Sequence, residues 1–216
     1  MGGFRPYVSM FQNMQIFESK ERLREGISSK WLRLQLLMLA QSHTFQNASG
    51  LICLSEYSCN YLTQFYSHLT SQKIIKLIPH GSSNFGENYS AIQNKQFLKD
   101  ETFRILYVST VKKYKHQWNL IDAVGELRKE GILLELHLVG GADSKALKKM
   151  YEAVYRNKAD KKYIYYHGNL PYEETLKWYN KANLFVFAST CESFGISLLE
   201  AMSAGLPVAS SDRGPM

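Results

Sequence analysis

The chain has 216 residues, of which 45% are hydrophobic and 21% are charged, with a formal net charge of +7 at pH 7. This apolar fraction is sufficient for a buried core and argues against a disordered chain. Acidic residues are interspersed among the basic ones, so a solvated surface is the plain interpretation of the positive charge. The functional alternative is attraction to anionic phosphates or to an anionic membrane face. Because the aromatic residues are not interleaved in a basic patch, no nucleic-acid partner is expected.

The cysteines and the most apolar stretch bear on cellular location. Three cysteines form no C-x-x-C pair, and an odd number without metal-ligand spacing is typical of a reducing compartment. The N-terminus shows no apolar targeting segment. Residues 32–40 are the most apolar stretch, but they include Arg33 and Gln35 and fall short of the ~20 residues that span a bilayer. We therefore expect a soluble, cytoplasmic protein that contacts a membrane peripherally at most.

Apolar runs of strand length alternate with helical patterns along the chain, which predicts β–α–β units and parallel sheets. In chain order, the predicted strands are residues 7–10, 50–54, 74–78, 104–109, 133–139, 163–167, 184–188 and 207–210. The predicted helices are residues 29–46, a helix carrying residues 59–69 after an N-cap at Ser55, and residues 117–130, 144–158, 171–180 and 196–204. Residues 82–100 are polar and predict a linker between two domains, residues 1–81 and residues 101–216.

The most informative stretch runs from the predicted strand at 184–188 through a polar turn into the last helix. Ligands of open α/β sheets bind beyond the carboxyl ends of the strands, where this turn is expected. Gly195 permits close approach of the backbone to a ligand. The first amides of the helix, at Gly195, Ile196 and Ser197, are expected to form an anion site with the helix dipole behind them.

Two carboxylates bracket this turn, with seven residues between Glu192 and Glu200. Helical side chains lean toward the N-terminus, so Glu200 can accept both hydroxyls of a ribose near the turn. Glu192 can accept sugar hydroxyls on the other side of the phosphates. The plain alternative is that Glu192 sits on a turn and Glu200 is an exposed helix residue. Under either interpretation, Leu198, Leu199 and Met202 are expected to face the core.

Residues 191–208 resemble the E-x7-E region of the retaining glycosyltransferases of family 4, which have the two-domain GT-B fold. The family pattern is roughly E-G-F-G-x-x-x-x-E-A-M-A-x-G-x-P-V, and Ser193 replaces its first glycine. The matching positions are both glutamates, Phe194, Gly195, Ala201, Met202, Gly205, Pro207 and Val208. The resemblance implies an α/β fold of GT-B type, with two Rossmann-like parallel-sheet domains that are both incomplete in this chain. Residues 1–81 would be the C-terminal part of the acceptor-binding domain, and residues 101–216 a truncated donor-binding domain.

Other segments resemble the family's donor-binding positions in the family's order. Residues 104–109 resemble a strand that leads to a glycine, an arginine and, five residues later, a lysine, all of which contact the donor diphosphate. Ser109 and Thr110 stand for the glycine and the arginine, and Lys115 retains the lysine. Lys112 or Lys113 can compensate for the arginine, and a solvated loop is the alternative for residues 112–115. The resemblance also implies nucleotide contacts at Gly140 and at the backbone of Gly168, Asn169 and Leu170.

In the first domain, residues 8–14 occupy the position of a strand and loop where many family members carry a histidine near the donor sugar. Gln12 stands there, so Gln12 and Asn13 are the candidates for sugar or acceptor contacts, and no catalytic histidine is assigned. His167 is not expected to be a catalytic acid or a metal ligand, because no partner for it is evident nearby in the sequence.

The resemblance implies transfer of a sugar from a nucleotide-diphosphate sugar to a saccharide or lipid-linked saccharide, in the synthesis of a cell-surface polysaccharide or glycolipid. Glu192 would hold the sugar and Lys115 would stabilise the leaving phosphate. Neither a metal nor another cofactor is expected. The resemblance further implies contact with the inner face of the cytoplasmic membrane, with the helix at 29–46 as the candidate face and core packing as the alternative.

Two other functions stay open. One is a non-catalytic module that binds sugar nucleotides. The other is an epimerase or a phosphorylase of the same fold, although a phosphorylase would require a pyridoxal-binding lysine that no segment suggests.

Overall fold

The computed structural model describes residues 6–81, 101–157 and 163–216. These residues form two compact units. The first contains the described residues up to Gly81 together with Thr190–Gly195 and Asp212–Met216, and the second contains those from residue 101 to Ser189 together with Ile196–Ser211. The predicted linker at 82–100 lies outside the described residues, and the predicted domain division stays a prediction.

A three-stranded parallel sheet is the centre of the first unit, in the order β1–β2–β3. Its strands are β1 (Val8–Phe11), β2 (Gly50–Cys53) and β3 (Ile74–Leu77). The helices described in this unit are α1 (Met14–Phe17), α2 (Ser19–Leu23), α3 (Ser29–Asn47), α4 (Glu56–Phe65) and α5 (Ser67–Thr70). The strands and α3 confirm the predictions within a residue or two, whereas α1 and α2 were not predicted.

Aromatic packing explains why the helix predicted to carry residues 59–69 is two helices. Tyr66 leaves the helical region (φ −135°, ψ 42°) between α4 and α5. Its ring meets that of Phe17 edge-on at 5.0 Å, and its hydroxyl donates to the Phe17 carbonyl at 2.8 Å. Phe17 in turn packs against Phe11 and Phe45, and all three rings are fully buried. Docking of Tyr66 onto this cluster therefore outweighs local helix propensity.

The second unit contains a five-stranded parallel sheet in the order β6–β5–β4–β7–β8. Its strands are β4 (Phe103–Val108), β5 (Leu134–Val139), β6 (Ile164–Tyr166), β7 (Leu184–Phe187) and β8 (Val208–Ser210). Its helices are α6 (Gln117–Lys129), α7 (Ser144–Arg156), α8 (Tyr172–Lys181) and α9 (Ile196–Ser203). Continuous apolar runs such as those of β4 and β7 are typical of strands covered on both faces, which is why the sequence predicts them well.

Within the three described ranges, no helix combines the length and the apolarity that crossing a bilayer requires.

Candidate functional site

The carboxyl ends of the second sheet lie at one edge, because its strands are all parallel. Ser109 directly follows β4, Gly140 follows β5, and Gly168 comes two residues after β6. The amide of Ser109 donates to the Val139 carbonyl at 2.8 Å, and the amide of Gly140 donates to the Gly168 carbonyl at 2.7 Å. The structure thus brings three of the predicted nucleotide-contacting positions together along one line of main-chain hydrogen bonds.

Gly140 is the position in this edge where only glycine fits. Its φ of +137° is disfavoured for residues with a side chain. A Cβ at this position would also overlap the Ser109 carbonyl and lie 3.0 Å from the Thr110 amide nitrogen. The ends of β4 and β5 therefore lie so close together that a side chain at position 140 would not fit between them.

Ser109 and Thr110 are the residues predicted to stand for the glycine and the arginine that contact the donor diphosphate. The Thr110 residue is exposed, while the Ser109 hydroxyl donates to the Thr110 carbonyl at 3.2 Å and accepts from Gln117 Nε2 at 3.0 Å. Gln117 is 1% exposed, and among the described residues its Oε1 has no hydrogen-bond partner. Sequence reasoning missed Gln117, which looks like an ordinary first residue of α6.

Lys115 lies in a 3-10 turn, Lys113–Lys115, and is only 9% exposed. Its Nζ lies 4.9 Å from the ring centre of Phe187 and 5.5 Å from that of Tyr114, which are cation–π distances. The carbonyl of Lys115 accepts a hydrogen bond from the buried Tyr107 hydroxyl at 2.8 Å. The solvated-loop interpretation is therefore wrong for Lys115, whose contact with phosphate stays a prediction.

The segment from Gly168 to Leu170 follows a pair of histidines. His137 Nδ1 and His167 Nε2 are 3.1 Å apart, and the Trp178 ring lies 4.3 Å from the centre of each imidazole. Burial lowers the pKa of His137 to about 4 and also lowers the pKa of His167. The expectation that His167 has no partner is wrong, since β5 supplies His137. Within the described ranges, no group of three side chains of metal-binding type is assembled.

Glu200 is half-buried on α9, and a tyrosine of α8 holds its carboxylate. The Tyr179 hydroxyl donates to Glu200 Oε2 at 2.8 Å and lies 3.3 Å from the Ser197 carbonyl. Tyr179 is fully buried, and its burial together with the nearby Glu200 charge raises the pKa of the phenol. The interpretation of Glu200 as an exposed helix residue is therefore wrong. Sequence reasoning missed Tyr179, because its distance of 21 positions from Glu200 follows no local pattern.

Helix α9 begins at Ile196, where the sequence predicts a helix start. Gly195 is buried with a φ of +95°, so glycine is required there, while Ile196 is exposed and Ser197 is half-buried. The expectation for Met202 was wrong, since this side chain is 60% exposed. Ala201 is fully buried instead, because a small side chain lets the short helix lie close to its neighbours.

Glu192 belongs to the segment Thr190–Gly195 of the first unit, and we name this segment the Glu192 loop. On one side of Glu192, the Thr190 hydroxyl donates to Glu21 Oε1 at 3.0 Å and accepts from Arg24 Nη1 at 3.1 Å. Glu21 is 4% exposed and is also paired with Arg24 at 3.0 Å. Glu21 lies in α2, and Arg24 directly follows this helix. Neither residue belongs to a sequence motif that would have indicated its role.

On the other side of Glu192, Ser193 makes two hydrogen bonds within the first unit. Its hydroxyl donates to the Gln12 carbonyl at 2.6 Å, and its own carbonyl accepts from the Ser55 hydroxyl at 2.7 Å. Gln12 and Asn13 are both exposed directly after β1, so the structure places Gln12 beside the Glu192 loop. The next residue of the loop, Phe194, packs edge-on against His80, with ring centres 5.4 Å apart.

Comparisons with known proteins agree with these observations. The family described as "Glycosyl transferases group 1" matches residues 88–216. The GtfA subunit of UDP-N-acetylglucosamine–peptide N-acetylglucosaminyltransferase from Streptococcus agalactiae is 30% identical over 151 residues, which are 70% of this chain and 28% of that protein. The alpha-monoglucosyldiacylglycerol synthase of Acholeplasma laidlawii is 29% identical over 136 residues, 62% of this chain and 33% of that protein. The chain thus spans about a third of the length of these curated relatives.

Among solved structures, sucrose-phosphate synthase from Thermosynechococcus elongatus superposes with a TM-score of 0.72 at 22% identity, over 96% of this chain and 50% of that one. This likeness shows the fold, which is the GT-B type of α/β structure with parallel sheets. The family match covers more than half of the 216 residues and includes β4 through β8 with Glu192 and Glu200. The chain therefore belongs to the group 1 glycosyl transferases.

Proposed function

We propose that this chain carries the donor-binding elements of a retaining glycosyltransferase of family 4, which transfers a sugar from a nucleotide-diphosphate sugar to an acceptor. The observation that carries the proposal is the Glu200 carboxylate, held by Tyr179 one turn after the buried Gly195. A carboxylate with one oxygen fixed by a phenol keeps its remaining lone pairs for a pair of hydroxyls, as a ribose presents. The name of the streptococcal relative, a UDP-N-acetylglucosamine transferase, supports a UDP-sugar as donor.

The edge of the second sheet supports contacts with the diphosphate and the base. The close approach of Gly140 to Ser109 leaves main chain rather than side chains at the edge, which leaves room for a bulky ligand there. We assign Ser109, Thr110 and Gly140 to the diphosphate side. The segment formed by Gly168, Asn169 and Leu170 is assigned to the base.

In the proposed reaction Lys115 stabilises the negative charge that develops on the leaving diphosphate. Lys115 is 9% exposed, and its ammonium group lies beside the Phe187 and Tyr114 rings, where charge interactions are stronger than in bulk water. The N-terminus of α9, with Gly195, Ile196 and Ser197, adds the positive end of a helix dipole. We assign no metal and no other cofactor to this step.

Glu192 is assigned to the hydroxyls of the transferred sugar, with Phe194 beside it. Gln12 and Asn13 are assigned to the sugar or the acceptor, because both are exposed and the Gln12 carbonyl is bonded to the Glu192 loop. We do not assign Glu192 as a nucleophile, since its proposed role is to orient the sugar for reaction.

The outer face of α3 supports an acceptor that is carried on a lipid surface. Leu32, Leu36 and Leu39 recur at helical spacing and are 55–60% exposed, while Leu34 and Phe45 on another face are buried. The helix has no acidic residue, and the basic Lys30 and Arg33 lie in its first two turns, with Lys30 paired to Glu25 at 3.0 Å. An apolar stripe flanked by basic side chains suits the interface of an anionic membrane, such as the inner face of the cytoplasmic membrane. The name of the Acholeplasma relative, an alpha-monoglucosyldiacylglycerol synthase, supports a lipid as acceptor.

Calorimetric titration of the full chain with UDP-N-acetylglucosamine, UDP-glucose and GDP-mannose tests the donor assignment. We expect one of them to bind, and Glu200→Gln to weaken that binding about tenfold, because hydrogen bonds to a charged group are worth about 1.5–3 kcal/mol. Glu174→Gln on the exposed face of α8 is the matched control and should bind normally. Normal affinity of Glu200→Gln would contradict the ribose assignment.

Product analysis separates the proposed enzyme from its alternatives. A glycosyltransferase releases the nucleoside diphosphate as the acceptor is extended. Conversion of the sugar nucleotide into its epimer without an acceptor would indicate an epimerase, and binding without any turnover would indicate the non-catalytic module.

A vesicle assay tests the lipid surface separately from the donor. We expect the full chain to co-sediment with vesicles of anionic phosphatidylglycerol and not with those of neutral phosphatidylcholine. Leu36→Gln combined with Leu39→Gln should reduce the bound fraction several-fold, while Met202→Gln, another exposed apolar side chain, should not. Equal binding to both kinds of vesicle would contradict the electrostatic part of the proposal.

A further inference from the structure

Thr190 and Ser193, which lie on either side of Glu192, form side-chain hydrogen bonds within the first unit. The Thr190 hydroxyl has one proton, which it donates to Glu21, and it accepts one bond from Arg24. The Ser193 hydroxyl donates to the Gln12 carbonyl, and the Ser193 carbonyl accepts from Ser55. Glu192 is therefore carried on a loop that is fixed on both sides.

The Ser55 hydroxyl also caps helix α4, and this second bond fixes the direction of its bond to the loop. It accepts from the Ser58 amide at 3.1 Å as the N-cap of α4, so its single proton is available for the Ser193 carbonyl at 2.7 Å. The Ser58 hydroxyl meanwhile donates to the Ser55 carbonyl at 2.8 Å. The start of α4 and the Glu192 loop thus share one hydroxyl group, and the loop is tied to a helix end rather than to a flexible side chain.

Among these residues, Glu21 is the one whose burial destabilises the folded state. A carboxylate that is 4% exposed pays a desolvation penalty, which its pairing with Arg24 and Thr190 offsets only in part. Burial accordingly raises the pKa of Glu21 above its ordinary value. Buried charges that cost folding energy are frequent where they fix a functional group.

We propose that Glu21, Arg24, Thr190 and Ser55 are positioning residues that hold the Glu192 loop, so that the Glu192 carboxylate is fixed for the sugar of the donor. This inference rests on the proposed function, since it acts through the assigned role of Glu192. Ordering a free loop costs roughly 1–2 kcal/mol per residue in backbone entropy. A loop that is ordered before the donor arrives does not incur that cost during binding. Ser193, where the family pattern has glycine, adds one side-chain bond to this arrangement.

The test compares two probes, UDP and UDP-N-acetylglucosamine, because only the second presents a sugar to Glu192. Thr190→Val removes the hydroxyl and keeps the shape of the side chain. Because the loop then loses both bonds of this hydroxyl, we expect Glu192 to lose about one hydrogen bond to the sugar. UDP-N-acetylglucosamine binding should weaken about three- to tenfold, and UDP affinity should stay unchanged. Thr190→Ser should restore the wild-type ratio of the two dissociation constants. The matched control is Thr63→Val, whose exposed hydroxyl donates to the Cys59 and Asn60 carbonyls of its own helix.

Combining Thr190→Val with Glu192→Gln separates positioning from a direct or merely structural effect. We expect the double variant to bind UDP-N-acetylglucosamine no more weakly than Glu192→Gln alone, because the hydroxyl acts through the carboxylate. Additive losses, or parallel losses for UDP and the sugar nucleotide, would overturn the positioning role. Ser193→Ala offers a second variant with the same expected pattern if Thr190→Val does not fold.

Failure of the proposed function has a different outcome in the same titrations. If the wild-type chain binds no nucleotide sugar, or if Glu192→Gln leaves the affinity ratio unchanged, the donor assignment fails and this inference fails with it. A wild-type chain whose sugar preference depends on Glu192 but not on Thr190 overturns the positioning role alone.

Discussion

The two groups of candidate site residues are held in place by different kinds of bond. The edge of the second sheet is built from main chain, where the amides of Ser109 and Gly140 continue the hydrogen bonding of the strands. The Glu192 loop of the first unit is held by side chains, mainly those of Thr190, Ser193 and Ser55. A backbone-built edge tolerates most side-chain changes but not the loss of a required glycine. A loop held by side chains is sensitive to single hydroxyl groups, which cost little stability when they are removed.

The largest expected effect breaks the backbone-built edge. Gly140→Ala should destabilise the chain by about 2–4 kcal/mol, because the new Cβ would overlap the Ser109 carbonyl at a φ of +137°. Gly141→Ala is the matched control, since nothing lies within 4 Å of a Cβ there, and it should change stability by less than ~0.5 kcal/mol. Urea unfolding measures both variants, and equal stabilities would contradict the required close approach.

The next effect concerns a side chain that supports the second unit. Tyr179→Phe should cost about 1–2 kcal/mol of stability, because it removes the phenol from the half-buried Glu200 carboxylate. It should also weaken UDP binding several-fold. Tyr163→Phe is the control, since its hydroxyl bonds the Asn157 carbonyl away from the site. A loss of stability without any loss of UDP affinity would show that Tyr179 supports the fold only.

The histidine pair predicts a pH dependence of stability. Burial lowers the pKa of His137 to about 4 in the folded chain. As the pH falls below about 6.5, His137 is therefore protonated in the unfolded chain while it is still neutral in the folded chain. Stability should therefore decrease between about pH 6.5 and pH 4, by an amount on the order of 1–3 kcal/mol, and this contribution should be constant above pH 7. His137→Phe should flatten the dependence, whereas the exposed His43→Phe should not. Urea unfolding at pH 7 and pH 5 measures the difference.

The smallest expected effect on stability belongs to the Glu192 loop. Glu21→Gln keeps an acceptor for the Thr190 hydroxyl and removes a buried charge. We expect it to stabilise the folded chain, by less than ~1 kcal/mol. The sign follows from the raised pKa of Glu21: above that pKa the folded state carries a charge that burial disfavours. Thermal unfolding at pH 7 checks this, and a clear loss of stability would show that the ion pair with Arg24 more than offsets the desolvation.

Sequence reasoning predicts the parts of this molecule that depend on neighbouring residues. The strands of both sheets follow from apolar runs bounded by turn residues, and the start of α9 follows from a polar turn between strand and helix. The break at Tyr66 could not be predicted, because the Phe17 carbonyl it reaches is 49 positions away. The support that Glu21 gives to Thr190 spans 169 positions and has no local pattern. Lys115 shows the same limit, since only the fold reveals the aromatic rings that bury it.

Helix α8 joins two recognition elements through neighbouring residues. The Trp178 ring lies against both histidines that precede the Gly168 segment, and the next residue, Tyr179, holds the Glu200 carboxylate. In the proposed function these elements meet the base and the ribose of one nucleoside. Because Trp178 and Tyr179 are adjacent in the chain, one helix contacts both elements. Discrimination of an intact nucleoside from a free base or a free sugar phosphate would then be a property of this helix.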